Sequence, residues 1–161
     1  MFSILSLDTG RFMGESWTLQ VLIGLQAALA GIFGSIVGFE RGRSGKGVGL
    51  RTHALVAMAS SAAVGVGSVL VEGAATGDHS RTLHAVITGV GFIGAGAILH
   101  TPNGTLGVTT ATSVFLVAVI GAAVGVGLPV LAAILTAGAL VILRVVGHLQ
   151  GRGNHLTENN S

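Results

Sequence analysis

The sequence predicts an all-α integral membrane protein, a bundle of about five transmembrane helices. Half of the 161 residues are hydrophobic and only 9% are charged, whereas a soluble domain carries about 25% charged residues. The mean hydropathy is +0.82. This scarcity of charge nearly rules out a soluble enzyme, and a net charge of +2 is too small for a nucleic-acid binder. The absence of cysteine excludes disulfides and thiolate metal sites.

The number of spans follows from three stretches without Asp, Glu, Lys or Arg. Residues 16–39 and 52–71 each have the roughly 20 residues that a helix needs to cross a bilayer. Residues 82–143 form one uncharged stretch that would reach about 93 Å as a single helix, so it must fold back. Turn-forming residues at 100–104 and 125–129 divide it. We therefore expect spans near 17–39, 52–71, 83–99, 106–124 and 129–146.

The basic residues predict how the bundle is oriented, because positive charge collects on the cytoplasmic side of a membrane protein. Five spans place the loop after the first span, the 100–105 turn and the C-terminus on one side. Six of the eight basic residues fall there: Arg41, Arg43, Lys46, Arg51, Arg144 and Arg152. We expect a periplasmic N-terminal segment over 1–16, a membrane domain over 17–146 and a flexible cytoplasmic tail over 147–161. The predicted location is the bacterial inner membrane.

The spacing of glycines predicts close packing between helices. Gly34 and Gly38, and likewise Gly121 and Gly125, have the small-xxx-small spacing that lets helix backbones approach each other in lipid. A third group matches G-x-G-x-x-G, but it lies inside a predicted span without a preceding strand, so it is interpreted as a small-residue helix face and not as a dinucleotide site. Its members, with one further glycine, are Gly89, Gly91, Gly94 and Gly96. Packing within the bundle is favoured, and contact between copies in a homo-oligomer is the alternative.

Polar residues beside the spans are the candidates for function, because ionisable side chains at the edge of hydrocarbon are costly. One group lies at the predicted cytoplasmic edge: Glu40, Arg41, Arg43, Lys46, Arg51, Thr52 and His53. Thr109, Thr110 and Ser113 begin the fourth span on the same side and are expected to approach it. For Arg43 and Lys46 the favoured role is to set topology and contact lipid head groups. His53 is expected to be a hydrogen-bonding member of the bundle, with proton handling as the alternative.

Two further charged residues stand at the opposite side. Asp78 and Arg81 are three residues apart at the start of the third predicted helix. This spacing is typical of a capping Asp and a same-face ion pair. Asp78 and Glu72 together are also compatible with a loose Mg²⁺ site, although nothing in their spacing requires one. We expect no cofactor.

Three sequence blocks, taken in order, resemble the MgtC/SapB family over about residues 17–146. The first, from Glu40-Arg41 through Lys46 to Gly49-Leu50-Arg51-Thr52-His53, is similar to E-R-x-x-x-x-K-x-A-G-L-R-T-H. The second begins at Asp78-His79-Ser80-Arg81 and continues through the glycines at 89–96. The third, over residues 107–113, resembles G-L-T-T-A-A-S. The resemblance implies that the following residues carry function: Glu40, Arg41, Lys46, Gly49, Arg51, Thr52, His53, Asp78, Arg81, Thr109 and Thr110.

The resemblance also implies a fold and a role. Members are thought to have five spans with a periplasmic N-terminus, and many add a cytoplasmic ACT-like domain, which we expect this short form to lack. The family is associated with growth at low Mg²⁺, with virulence and with restraint of the F-type ATP synthase. The leading hypothesis is therefore a non-enzymatic inner-membrane regulator of Mg²⁺ homeostasis that binds another membrane complex such as that synthase. The alternative is a transporter, or a transport component, for Mg²⁺ or another cation. The expected partners are the bilayer and a membrane complex, not nucleic acid.

Overall fold

The computed structural model describes the backbone of residues 9–43, 48–72, 78–102 and 104–158, and side chains within 17–43, 48–71, 78, 80–102 and 104–145. Within these ranges the chain forms five helices and one short hairpin. The elements are α1 (Thr9–Arg43), α2 (Leu50–Glu72), α3 (His79–Gly96), β1 (Leu99–Thr101), β2 (Gly104–Leu106), α4 (Val108–Gly125) and α5 (Pro129–Glu158). The predicted all-α bundle of five helices is confirmed.

Three helices are long and apolar enough to cross a membrane by length and composition: Trp17–Arg43, Leu50–Val71 and Val108–Gly125. A shorter apolar helical segment covers Pro129–Val145. Long apolar stretches form helices in lipid because a helix satisfies all of its backbone hydrogen bonds internally. Together these features describe an integral membrane protein.

Helix α4 lies at the centre of the bundle. Two thirds of its 18 residues are buried, compared with about one third of the most apolar windows of α1 and α2. It packs against all four other helices. The main core cluster joins small and branched side chains from α1, α2, α4 and α5: Ala30, Val37, Ala57, Val117, Ile120, Ala123, Val124, Ala132 and Ala139.

Several helix bounds differ from those expected from charge-free stretches. Helix α1 begins at Thr9 and ends at Arg43, and α5 continues to Glu158, into the segment that was expected to be a tail. Helix α3 begins four residues early, because Asp78 caps it by accepting a hydrogen bond from the backbone N–H of Ser80 at 2.9 Å. The charge-free stretches locate the hydrocarbon-compatible residues, whereas a helix extends beyond them until its hydrogen bonding is interrupted.

The predicted turn at 100–104 is a small antiparallel hairpin. Helix α3 ends at Gly96, and Leu99 then pairs with Leu106 while Thr101 pairs with Gly104. The hairpin leads into α4 through Gly107, whose φ of +85° is left-handed. A Cβ at this position would collide with the carbonyl oxygen of Ala97, so glycine is required on both counts.

The break between α4 and α5 has a defined geometry. Gly127 adopts a φ of +91°, and its N–H donates to the Val124 carbonyl at 2.9 Å. The N–H of Leu128 donates to the Ala123 carbonyl at 2.8 Å, which completes a Schellman motif. Pro129 then occupies the first position of α5, where its missing N–H costs nothing.

Candidate functional site

The candidate site is built where α1 ends and α2 and α4 begin. Successive helices reverse direction, so the end of α1, the start of α2, the start of α4 and the apolar end of α5 lie at the same end of the bundle. Four polar side chains of this region are buried and are called the polar cluster below: Arg41, His53, Thr110 and Ser113. The sequence expectation that the start of the fourth span approaches the first motif is met in this arrangement.

Arg41 joins α1 to α4. Its side chain is only 6% exposed, and its Nη2 donates to Thr110 Oγ1 at 3.1 Å. Burying a guanidinium is costly unless hydrogen bonds compensate for the lost solvation. The hydroxyl of Thr110 is therefore one of the acceptors that make the buried position of Arg41 tolerable.

His53 joins α2 to α4 and is completely buried. Its Nδ1 lies 2.9 Å from the carbonyl oxygen of Gly49, and since a carbonyl only accepts, Nδ1 carries a hydrogen and donates. Its Nε2 lies 3.0 Å from Ser113 Oγ. The Ser113 hydroxyl also lies 2.8 Å from the Thr110 carbonyl, so its single hydrogen has two acceptors within reach when the ring is neutral.

Glycines allow these helices to approach closely enough for the polar cluster to form. A Cβ at Gly34 would lie 2.5 Å from the His53 carbonyl oxygen, and one at Gly38 would lie 2.9 Å from His53 Cβ. On the other side of α2, added Cβ atoms at Gly121 and Gly125 would collide with the backbones of Ala57 and Ser61. Helix α2 is therefore held between glycine surfaces of α1 and α4.

The structure also pairs Glu40 with Arg144. The Nη2 and Nε atoms of Arg144 lie 2.9 and 3.0 Å from Glu40 Oε2, which links α1 to α5. This partner lies 104 residues away in the chain.

Other predicted site residues lie apart from the polar cluster. Arg51 and Thr109 are exposed and Thr52 is half-buried, although each lies within two positions of a cluster residue in sequence. Gly49 contributes its carbonyl oxygen to His53. Lys46 lies outside the described residues. Asp78 and Arg81 are exposed at the opposite end of the bundle, and Asp78 serves as the cap of α3.

The glycines of α3 differ in their surroundings. Gly94 does lie against Ala111 of α4, where an added Cβ would be in ordinary contact at 3.7 to 4.0 Å. An added Cβ at Gly89, Gly91 or Gly96 would meet nothing within 4 Å among the described residues. Among the described residues α3 meets α4 through the face that carries Val90 and Gly94, so a packing role for Gly89, Gly91 and Gly96 stays a prediction.

Two side chains that contact predicted site residues were not themselves among those to which the resemblance assigns function: Ser113, which was expected only to approach the first motif, and Arg144. Ser113 follows Thr110 by three residues, and this helical spacing, which places both on one face of α4, was the available signal. Arg144 had no comparable signal, because the sequence counted it only as a charge at the end of the last span. Within the described part of the chain, no three His, Asp or Glu residues are grouped so as to hold a metal ion.

Comparison with known proteins gives these residues a context. The sequence profile of the MgtC family matches residues 27–152. The chain is 38% identical to YhiD of Escherichia coli K12 over 133 residues, which cover 80% of this chain and 62% of YhiD. It is 36% identical to SrpB of Synechococcus elongatus over 138 residues, covering 78% and 71% of the two chains.

A third relative is the protein MgtC of Brucella abortus, 37% identical over 114 residues that cover 68% of this chain and 46% of MgtC. The chain thus spans about three fifths of YhiD and about half of this MgtC protein. No solved structure matches significantly. The profile match includes the whole polar cluster and covers well over half of the chain, and on this evidence the chain belongs to the MgtC family.

Proposed function

We propose that this protein is a magnesium-linked regulator of the bacterial inner membrane that acts by binding another membrane complex, the F-type ATP synthase. The role is non-enzymatic, and involves neither nucleic acid nor a cofactor. The proposal carries with it the family's associations with growth at low Mg²⁺ and with virulence. Two kinds of relative support the link to magnesium. Some are named MgtC, and the full name of YhiD describes it as a magnesium transporter.

One observation supports the regulatory role most directly. The first family motif is divided between the inside and the outside of the bundle: Arg41 and His53 are buried, whereas Arg51 is exposed. The buried residues join α1 and α2 to α4 through hydrogen bonds. These buried hydrogen bonds fix the positions of α1, α2 and α4 relative to one another, so the exposed Arg51 lies on a rigid surface. A rigid surface favours specific contact with a partner.

The experiment measures ATP-driven acidification of inverted bacterial membrane vesicles with and without the protein. We expect the protein to reduce proton pumping, and Arg51→Ala to restore it at equal expression. The matched control is Arg152→Ala, because Arg152 lies outside the three family blocks and is also an arginine expected on the cytoplasmic side. This control variant is expected to keep the inhibition.

The assigned surface and the proposed function are contradicted by different outcomes. Restoration by Arg152→Ala as well as Arg51→Ala would contradict the assignment of the surface, because general loss of positive charge would then be sufficient. Unchanged pumping in vesicles that contain the wild-type protein would contradict regulation of the synthase altogether.

The second candidate is transport of Mg²⁺ or another cation, which the name of YhiD favours. Glu40 is a mostly buried carboxylate at a helix end, only 15% exposed, and hard oxygen ligands suit Mg²⁺. Transport predicts Mg²⁺ uptake by proteoliposomes loaded with a Mg²⁺-sensitive dye, and a strong reduction of that uptake in Glu40→Gln. Uptake equal to that of empty liposomes would exclude this candidate.

A further inference from the structure

The surface between α1 and α5 contains a groove that the proposed function does not use. It encloses about 330 Å³. Its α1 wall follows one helix face, its α5 wall is formed by residues one turn apart, and α2 closes one end. The lining residues are Ile32, Ser35, Ile36, Phe39, Glu40, Leu50, Leu140 and Arg144. From Ile32 to Glu40 the groove runs for about 12 Å along the helix axis.

The two ends of this α1–α5 groove differ in chemistry. Toward the middle of the bundle it is lined mainly by aliphatic side chains, with Ser35 among them, and Ile32 and Ile36 are exposed. At the end of α1 it finishes at the pair formed by Glu40 and Arg144. An amphiphile that fits it must therefore have an apolar chain and a polar head group.

The charges at the rim define the sign of that head group. Arg144 is 62% exposed and uses Nη2 and Nε on Glu40, while its Nη1 makes no hydrogen bond among the described residues. The guanidinium carbon of Arg43 lies 5.7 Å from the centre of the Phe39 ring, which lines the groove. Arg144 and Arg43, against the single carboxylate of Glu40, give the rim a net positive charge.

We propose that the α1–α5 groove binds an anionic phospholipid, with its phosphate at Arg144 and Arg43 and one acyl chain along Ile32, Ile36 and Leu140. Basic pockets between transmembrane helices are suited to anionic head groups. In this arrangement Glu40 orients the guanidinium of Arg144 across the end of the groove. The carboxylate also opposes the phosphate, so it limits the affinity of the site.

The test is native mass spectrometry of the full chain, purified from mixed micelles that contain phosphatidylglycerol and phosphatidylcholine with identical acyl chains. We expect preferential retention of phosphatidylglycerol. Arg144→Gln should reduce that preference about fivefold, the effect of about 1 kcal/mol for one arginine near a membrane surface. Arg81→Gln removes an exposed arginine at the far end of the bundle and should leave the preference unchanged. Equal losses in both variants would overturn the proposal.

Glu40→Gln separates lipid binding from a purely structural role for the ion pair. Both Glu40→Gln and Arg144→Gln remove the ion pair, so a structural role predicts that lipid retention falls in both. The proposal predicts opposite signs, with retention of phosphatidylglycerol increased about twofold to fivefold by Glu40→Gln because a repulsive charge is removed. A fall in retention in a Glu40→Gln protein with wild-type circular dichroism would contradict the proposal.

The apolar part of the groove is tested independently of the rim. Ile36→Trp fills the groove without changing any charge and should reduce lipid retention at least fivefold, whereas Val141→Trp, at an exposed α5 position outside the lining, should not. Inorganic phosphate at millimolar concentration should not displace the lipid. Full retention in Ile36→Trp, or displacement by phosphate alone, would show that no acyl chain occupies the groove and would overturn the proposal.

Discussion

Individual polar residues decide how the helices of this bundle are held in register. Arg41 and His53 each donate or accept across a helix interface that is otherwise made of glycine, alanine and valine. In a membrane protein such interhelical hydrogen bonds average about 0.6 kcal/mol and reach about 1.7 kcal/mol. Each of these hydrogen bonds contributes little free energy. Leaving a buried charged donor without its acceptor, however, costs more free energy than leaving a neutral donor without one. The polar cluster therefore contributes specificity as well as stability.

Thr110→Val tests this interpretation at a single atom. The change preserves shape and removes the hydroxyl that accepts from Arg41, so we expect the free energy of unfolding to fall by about 1–2 kcal/mol. Unfolding by SDS in mixed micelles, followed by circular dichroism, provides the measurement. Thr109→Val makes the same chemical change at the adjacent, exposed position and should have little effect. Equal stability of the two variants would contradict the assigned role of Thr110.

At the scale of the elements, glycine determines how close α2 lies to its neighbours. Both α1 and α4 present two glycines, four residues apart, directly against the backbone of α2. Lipid is as apolar as the core, so dispersion contacts at short range replace the hydrophobic effect as the source of helix association. The same close approach places His53 within hydrogen-bonding distance of Ser113.

Gly121→Ala is expected to separate α2 from α4. The added methyl group would collide with the carbonyl of Ala57, and overpacking of this kind costs about 1–3 kcal/mol. Gly91→Ala is the matched control, because an added Cβ there meets nothing within 4 Å among the described residues and alanine favours a helix over glycine. Thermal unfolding of both variants in detergent provides the test. A destabilised Gly91→Ala would indicate that the open face of α3 is covered by a partner.

For the whole molecule, the distribution of charge predicts the orientation in the membrane. The polar cluster, the hairpin and Arg144 lie at one end of the bundle, and the exposed Asp78 and Arg81 lie at the other. Since basic residues are concentrated at the first end, we expect this end to face the cytoplasm. The surface that carries Arg51 and the rim of the α1–α5 groove would then both be cytoplasmic.

Cysteine labelling tests this orientation. The chain has no cysteine of its own, so the unsubstituted protein gives no background labelling. Ser80→Cys and Thr105→Cys place single thiols at exposed positions at opposite ends of the bundle. A membrane-impermeant maleimide should label position 80 in intact spheroplasts and position 105 only in inside-out vesicles. The reverse pattern would contradict the predicted orientation and would place the polar cluster on the periplasmic side.

The fold class, the number of helices and the approximate position of each break follow from the amino-acid sequence alone. These features depend on local chemistry: charge is excluded from hydrocarbon, and Gly127 and Pro129 end and begin helices wherever they occur. The motif residues also indicated which part of the chain to examine, including the start of α4. The structure adds detail to these predictions: the predicted turn is a hairpin at 99–106, and α3 starts at His79.

The burial of the polar residues and their contacts depend instead on how the helices pack against one another. Arg41 and Arg51 are equivalent in the sequence motif, yet one is buried against Thr110 and the other is exposed. The partnership of Glu40 and Arg144 depends on how α1 and α5 are rotated about their axes. When the lipid-facing and core-facing sides of a helix are both apolar, the hydrophobic periodicity of its sequence does not predict that rotation. It is fixed instead by side-chain packing and glycine contacts between helices that are distant in the chain.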